Sequence, residues 1–332
     1  MTYEEIIGNL QKKIYHPIYF LMGEETYFID KISDYITENV LTEAEKGFNQ
    51  TVLYGKDIEP DTIMANARRF PMMSNYQVII VREAQNIKKI EELEPYAKNP
   101  LNSTILVLNY KYKTLDKRKT FAKLIDQKGI LFESKKIYEN QLPTWISSYL
   151  KAQRYTIAPQ AAAMISEYLG ADLSKVANEL DKLIISLPAG TQITPDHIEK
   201  NIGISKEFNV YELQNALGER DLLKANRIVN YFGANPSSNP VPVVISSLFS
   251  YFSKILTYHF LEDKSQNNVA SVLQVHPFFV KTYVAAAKNY NIKKVVEIIS
   301  ILREYDMKSK GFGGNSADPA DLQKEMIYKI LH

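Results

Sequence analysis

Pro17-Ile18-Tyr19-Phe20-Leu21-Met22-Gly23-Glu24-Glu25-Thr26-Tyr27-Phe28-Ile29-Asp30 is the stretch on which the fold turns. An apolar run from Ile18 to Met22 ends at Gly23, and Phe28, Ile32, Tyr35, Ile36 and Val40 then recur at helical spacing. Strand, glycine turn, helix is the frame in which a phosphate-binding loop sits. Such a loop needs several glycines so that backbone N–H groups can cradle phosphate, a Lys for the terminal phosphates and a Ser or Thr for Mg²⁺. Here Glu24 and Glu25 follow the glycine instead, and two carboxylates repel a triphosphate. Two readings stay open: an ordinary strand–turn–helix at the front of an α/β domain, or a nucleotide-binding fold that has lost its nucleotide.

Working outward, further strand candidates are Thr51–Tyr54, Gln77–Val81, Thr104–Asn109 and Ile130–Glu133. Val78 to Val81 and Ile105 to Leu108 are continuous apolar runs, as in strands buried on both faces of a parallel sheet. Helical patterns near 26–40, 60–70, 88–98 and 116–127 lie between the strands, and this alternation predicts a mainly parallel α/β domain over 1–140. Past residue 140 the β pattern stops. Leu142, Trp145, Ile146, Tyr149 and Leu150 mark one amphipathic helix. A second runs from Pro159 to Leu169 and closes at Gly170. A third is capped by Asp172 and carries Leu173, Val176, Leu180, Leu183, Ile184 and Leu187. Thr194-Pro195 announces a fourth. These make a small helical module over 141–208. From 209 to 332 the chain stays helical, with a long helix near 242–261 and shorter ones near 268–274, 277–289, 292–309 and 319–331. The fold class is α/β followed by all-α.

The 332 residues are 45% apolar and 23% charged, and 40 basic against 38 acidic side chains leave a net charge of +2. That balance excludes a chain dominated by nucleic-acid binding and confines any such contact to local patches. Cysteine is absent, which excludes disulfides, thiolate metal sites and Cys nucleophiles. The start Met1-Thr2-Tyr3-Glu4-Glu5 has neither the basic flank nor the apolar core of a signal peptide. No apolar run approaches about 18 residues, so no transmembrane helix is expected. A cytoplasmic protein without a membrane partner is expected.

Catalytic chemistry finds little support. His16, His197, His259, His276 and His332 are scattered, without the helical spacing of a metal site. No Gly-x-Ser-x-Gly elbow occurs. Gly311-Phe312-Gly313-Gly314 follows a helix rather than a strand, lacks a following Gly-Lys-Ser/Thr, and reads as an interhelical loop. Neither catalytic residue, cofactor nor metal is expected. Two surface features remain. Lys111, Lys113, Lys117, Arg118 and Lys119 follow a strand, at the edge where α/β domains carry functional loops. With Tyr110 and Tyr112 among them they suit a phosphate backbone, and they suit a solvated turn equally well. Phe70-Pro71-Met72-Met73 places bulky apolar residues at a helix end before the polar Ser74-Asn75. They fit a cap on the core, or an exposed anchor for a partner pocket.

Taken in order, these segments resemble the delta subunit family of the bacterial DNA polymerase III clamp loader. Pro17 to Glu25 is similar to the family's opening Pro-x-Tyr-x-Leu-x-Gly-Glu-Glu segment. Phe70 to Val81 resembles its apolar pair, polar residues and strand. Leu169-Gly170-Ala171-Asp172-Leu173-Ser174-Lys175-Val176-Ala177-Asn178-Glu179-Leu180-Asp181-Lys182-Leu183 is the strongest match, and Phe208 to Leu213 and Asp306 with Lys310-Gly311 also fit.

The resemblance implies an AAA+-like α/β domain (1–140) without a functional phosphate loop, a helical lid (141–208) and a helical collar (209–332) for oligomerisation. It implies a non-catalytic subunit of the DNA polymerase III holoenzyme, a DNA-directed DNA polymerase and nucleotidyltransferase complex. That subunit binds and opens the sliding clamp (beta) for loading on primed DNA during DNA replication. Partners would be the clamp, the gamma/tau ATPase subunits and delta-prime in a hetero-pentamer. Clamp contact would fall to Phe70, Met72 and Met73. The family's apolar pair is Leu-Phe in the best-known case, and Met72-Met73 departs from it. DNA contact would fall to Lys111, Lys113, Lys117, Arg118 and Lys119. The competing readings are an atypical NTPase and a stand-alone nucleic-acid-binding helical adaptor. For the collar, Leu248, Phe249, Phe252, Ile255 and Leu256 are the expected apolar faces.

Overall fold

In the computed structural model, which describes residues 1–202, 208–312 and 318–332, strand β1 (Ile18–Gly23) is buried along its whole length. It pairs in parallel with β4 (Thr104–Lys111) on one side and β5 (Ile130–Ser134) on the other. β3 (Gln77–Arg82) lies beyond β4, and β2 (Gln50–Tyr54) forms the far edge, giving the order β2-β3-β4-β1-β5 with every pairing parallel. This is the parallel sheet expected of an AAA+-like domain.

Period-two alternation divides the strand residues between two cores, which is why the runs look uniformly apolar in sequence. Phe20, Met22, Ile79, Val81, Leu106 and Leu108 pack on one face with Ile63 and Ala67 of α4 (Pro60–Ala67) and with Phe121 and Ile125. Tyr19, Leu21, Val78, Ile80, Ile105 and Val107 pack on the other with Ile6, Leu10, Ile29, Ile32 and Ile36. The helices of those faces are α1 (Tyr3–Gln11), α2 (Thr26–Asn39), α3 (Glu43–Asn49), α4, α5 (Glu94–Lys98) and α6 (Thr120–Lys128). Two of them, α1 and α3, are additions to the sequence reading. Their apolar stripes are too short to register: α1 buries only Ile6 and Leu10, and α3 only Asn49. Other boundaries shift. α4 stops at Ala67, and the 88–98 pattern splits into a tight 3₁₀ turn, Ile90–Leu93, and α5. α6 begins at Thr120, so the basic cluster lies in a strand end and loop.

The chain divides into two compact units, Met1–Ile137 and Tyr138–His332. In the second, α7 (Leu142–Ala152), α8 (Pro159–Leu169), α9 (Leu173–Ile185) and α10 (Pro195–Ile202) follow the sequence expectation, with Asp172 accepting from Lys175 N–H as the cap of α9. One correction is needed: β structure does not stop at 140. β6 (Thr156–Ile157) and β7 (Gln192–Ile193) form a parallel ladder, too short to leave a periodicity in sequence. The remaining helices are α11 (Val210–Glu219), α12 (Leu222–Ala234), α13 (Val241–His259), α14 (Gln266–Leu273), α15 (Val280–Asn289), α16 (Ile292–Ser309) and α17 (Pro319–Leu331). α13 is long and apolar enough to cross a bilayer. Its Val244, Ile245, Leu248, Tyr251, Phe252 and Ile255 instead fill the helical core alongside Leu213, Phe232, Leu302 and Met326. Of the apolar faces expected for oligomerisation, Leu248, Phe252 and Ile255 are therefore taken up by the chain's own core, and Phe249 is exposed. Gly313 and Gly314 lie outside the described residues.

At Gly23 the backbone takes φ +125°, and a Cβ there would sit 2.1 Å from the carbonyl oxygen of Ser134. Both the left-handed conformation and the contact with β5 exclude a side chain. Gly23→Ala should therefore cost about 2–4 kcal/mol, read as a lower urea midpoint for the first unit. An unchanged midpoint would show that the turn relaxes freely.

Candidate functional site

In a parallel sheet all strands end on one edge and begin on the other, so the candidate residues sort onto two edges. The C-terminal edge holds the Gly23 turn and the basic cluster. Gly23 N–H donates to the carbonyl of Lys113 at 3.0 Å, and Tyr112 N–H donates to that of Gly23 at 2.8 Å. Glu25 N–H donates to the Ser134 carbonyl at 3.4 Å, and Ser134 Oγ donates to the Glu25 carbonyl at 2.6 Å. The Glu25 carboxylate caps α2, accepting from Tyr27 N–H at 3.1 Å. The amides of Gly23, Glu25 and Tyr27 are thus all engaged by the protein's own acceptors. A carboxylate stands where a helix N-terminus would otherwise receive an anion.

The basic loop is pinned from inside by Leu115, which is buried and whose N–H contacts Met22 Sδ at 3.2 Å. Its cations are largely paired within the domain: Lys111 with Asp30 at 2.6 Å, Lys117 with Glu133 at 2.6 Å, Arg118 with Asp116 at 2.8 Å and Lys119 with Glu91 at 2.9 Å. Lys113 Nζ donates to the Gln85 carbonyl at 3.2 Å. Hydrogen bonds from Arg118 hold the Asp116 carboxyl below its ordinary range, and the bond from Lys119 does the same for Glu91. Pairs as exposed as these contribute little to stability and exchange readily with water and ions. Of the two tyrosines, Tyr110 packs on Phe20 with ring centroids 5.3 Å apart, and only Tyr112 is exposed.

The N-terminal edge holds the apolar segment. α4 buries Ile63 and Ala67, and its last carbonyls are collected by two buried side chains. Gln77 Nε2 donates to the Arg69 carbonyl and to Thr104 Oγ1, and Thr104 Oγ1 in turn donates to the carbonyl of Ala67 at 2.9 Å. With the helix ended there, Phe70, Met72 and Met73 stand outside the core at 78%, 62% and 102% relative exposure. The core-cap alternative left open by the sequence does not hold. Met73 adopts φ +52°, a left-handed conformation unusual for a residue with a side chain. The turn is braced by α3. Asn49 Oδ1 accepts from Met72 N–H at 2.6 Å, and its Nδ2 donates to the Met72 carbonyl at 2.9 Å. Glu45 accepts from Thr42 N–H at 2.8 Å, and bonds from Thr42 and Ser74 hold its carboxyl below the ordinary range. Phe48 on the same helix is also exposed.

The structure brings the three sequence-nominated residues into one exposed knuckle. Sequence reasoning missed Asn49, which holds the turn, although Thr42-Glu43-Ala44-Glu45 is a helix-start signal that would have located α3. Among the described residues no three His, Asp or Glu side chains converge as metal ligands.

Residues 19–135 match the family model of the DNA polymerase III delta subunit, and residues 207–317 match that of its C-terminal domain. Two models of one family, in order, account for well over half of the chain. This chain belongs to the DNA polymerase III delta subunit family. DNA polymerase III subunit delta of Bacillus subtilis (strain 168) is 28% identical over 321 residues, which span 92% of this chain and 91% of the relative. The solved structure of the Bacillus subtilis DNA clamp loader delta protein superposes with a TM-score of 0.62 at 25% identity, covering 99% of each chain. As a delta subunit, the chain is a clamp loader component of the DNA polymerase III holoenzyme and serves DNA replication. The knuckle and the Gly23 turn both fall inside the N-terminal match, and α7–α10 fall between the two matches.

Proposed function

We propose that this subunit binds the sliding clamp through Phe70, Met72 and Met73 and helps to open it, and that it neither binds nor hydrolyses ATP itself. The exposure of Met73, on a turn braced by buried polar side chains, carries the reading. Apolar side chains held in water at a cost in free energy have a use when a partner supplies the pocket, and methionine adapts to pockets of irregular shape. The remaining steps belong to other subunits. ATP would be turned over by gamma/tau subunits, with delta-prime completing a hetero-pentamer around primed DNA in the cytoplasm. In that assembly α7–α10 serve as a lid and α11–α17 as the collar. The atypical-NTPase alternative is opposed by the engaged amides of the Gly23 turn and by the Glu25 cap. The basic loop takes at most a modest part in DNA contact, since four of its five cations carry a carboxylate that a phosphate would have to displace, which offsets part of the gain from each contact.

Titration of the isolated chain with Mg-ATP in a calorimeter should give no binding heat. A saturable signal would restore the NTPase reading. In the clamp test, each Met buried by the partner contributes roughly 1.5–3 kcal/mol, so Met72→Ala/Met73→Ala should weaken clamp binding about 100-fold or more, measured by surface plasmon resonance. The melting temperature should hardly move, because neither residue is in the core. Unaltered affinity would remove the knuckle from the clamp interface. Finally, the assembled loader carrying Lys113→Ala, Lys117→Ala and Lys119→Ala should bind DNA with a log–log salt slope changed by less than about one unit. Flattening near three units would assign all three to phosphates.

A further inference from the structure

Helix α3 has one buried side chain, and that side chain is polar: Asn49, at 4% relative exposure. A buried carboxamide is costly unless its hydrogen bonds are made. Two of its bonds go to the backbone of a residue 23 positions away: Oδ1 accepts from Met72 N–H at 2.6 Å, and Nδ2 donates to the Met72 carbonyl at 2.9 Å. Nδ2 also donates to the Glu45 carbonyl within α3 at 3.2 Å. One N–H and two carbonyls around the group fix which end of the carboxamide is oxygen and which is nitrogen. An acceptor and a donor side by side reproduce what a neighbouring strand offers a peptide. The turn needs such a hold, because Met73 sits at φ +52° and has no contact of its own with the core to keep it there.

We propose that Asn49 is a positioning residue for clamp binding: it grips Met72 by both backbone groups and so presets the direction in which Met72 and Met73 project. The proposal rests on the reading of the knuckle as the clamp contact. The advantage is preorganisation. A free 70–74 segment samples other turns, and a partner must then order it at the moment of binding. Aspartate at this position keeps the acceptor for Met72 N–H but sets a negative charge against the Met72 carbonyl.

The test uses the full-length chain and the sliding clamp of the same organism. Affinity is measured by surface plasmon resonance for wild type, Asn49→Ala, Asn49→Asp, Met72→Ala/Met73→Ala and the triple variant with Asn49→Ala. Amide hydrogen exchange is followed over 42–82. Asn49→Ala should bind about tenfold more weakly, the equivalent of one net hydrogen bond. Asn49→Asp should bind at least as weakly as Asn49→Ala, because a buried carboxylate would face the Met72 and Glu45 carbonyls, and faster exchange should be confined to 70–75. In the triple variant the Asn49 effect should shrink to within about twofold of the double variant, because the residues it aims are gone. Unchanged affinity of Asn49→Ala overturns the proposal. So does an equal loss in both backgrounds, which would place its action elsewhere, or accelerated exchange throughout 42–82, which would make it a general stabiliser. If Met72→Ala/Met73→Ala alone leaves affinity intact, the knuckle reading falls and the positioning role falls with it. That outcome is distinct from an intact knuckle that ignores Asn49.

Discussion

β1 sits between two parallel neighbours and beneath two layers of helix, so its backbone and side chains are shut off from water. That desolvation constrains the rest of the first unit. Every N–H and C=O of the strand must find a partner within the protein, and the chain can leave the sheet only where a residue without a side chain clears Ser134. Parallel pairing then sends all strand ends to one edge and all strand starts to the other. α4 begins at the first edge and returns the chain to the second, where it is stopped just short of the knuckle. The basic loop and the Gly23 turn are thereby separated from the knuckle by the length of a strand, roughly 17–20 Å for five or six residues. Contacts made at one edge leave the other free.

The buried polar side chains of the first unit are distributed according to this plan. Asn49, Gln77 and Thr104 all serve the segment that ends α4 and carries Phe70, Met72 and Met73. Ser134 closes the Gly23 turn. Ser33 and Asn109 bond to each other across α2 and β4 at 3.0 Å. Polar groups inside a core are expensive to leave unpaired and rigid once paired. Their concentration beneath the knuckle gives an exposed apolar turn a fixed base, which a loop held only by surface contacts would lack.

The three central strands, β1, β3 and β4, are legible in the sequence because burial on both faces leaves unbroken apolar runs; β2 and β5 at the sheet edges are only partly buried and show through their short β-type residue runs. Helices α7 to α10 are legible from their stripes, caps and closing glycine. What escaped was short or long-range. α1 and α3 bury too little to show a period, and the β6–β7 ladder is shorter than any period. The partners of Lys111, Lys117 and Lys119 come from Asp30, Glu133 and Glu91, so a run of positive charge in sequence became a set of ion pairs in space. Of the candidate site, the apolar residues could be named from their pattern. Asn49, the residue that holds them, could not, because nothing local in an asparagine announces a peptide group 23 positions on.

Along the sequence, Glu24 and Glu25 are simply two charges that repel phosphate. The fold gives Glu25 a more specific part. Its carboxylate is bound to the start of α2 by the chain itself, which makes it a tethered ligand for the position that a diffusing anion would have to take. A tethered group competes at an effective concentration set by its short connection rather than by the solution. Raising the amount of a free anion therefore works against a competitor that is never diluted.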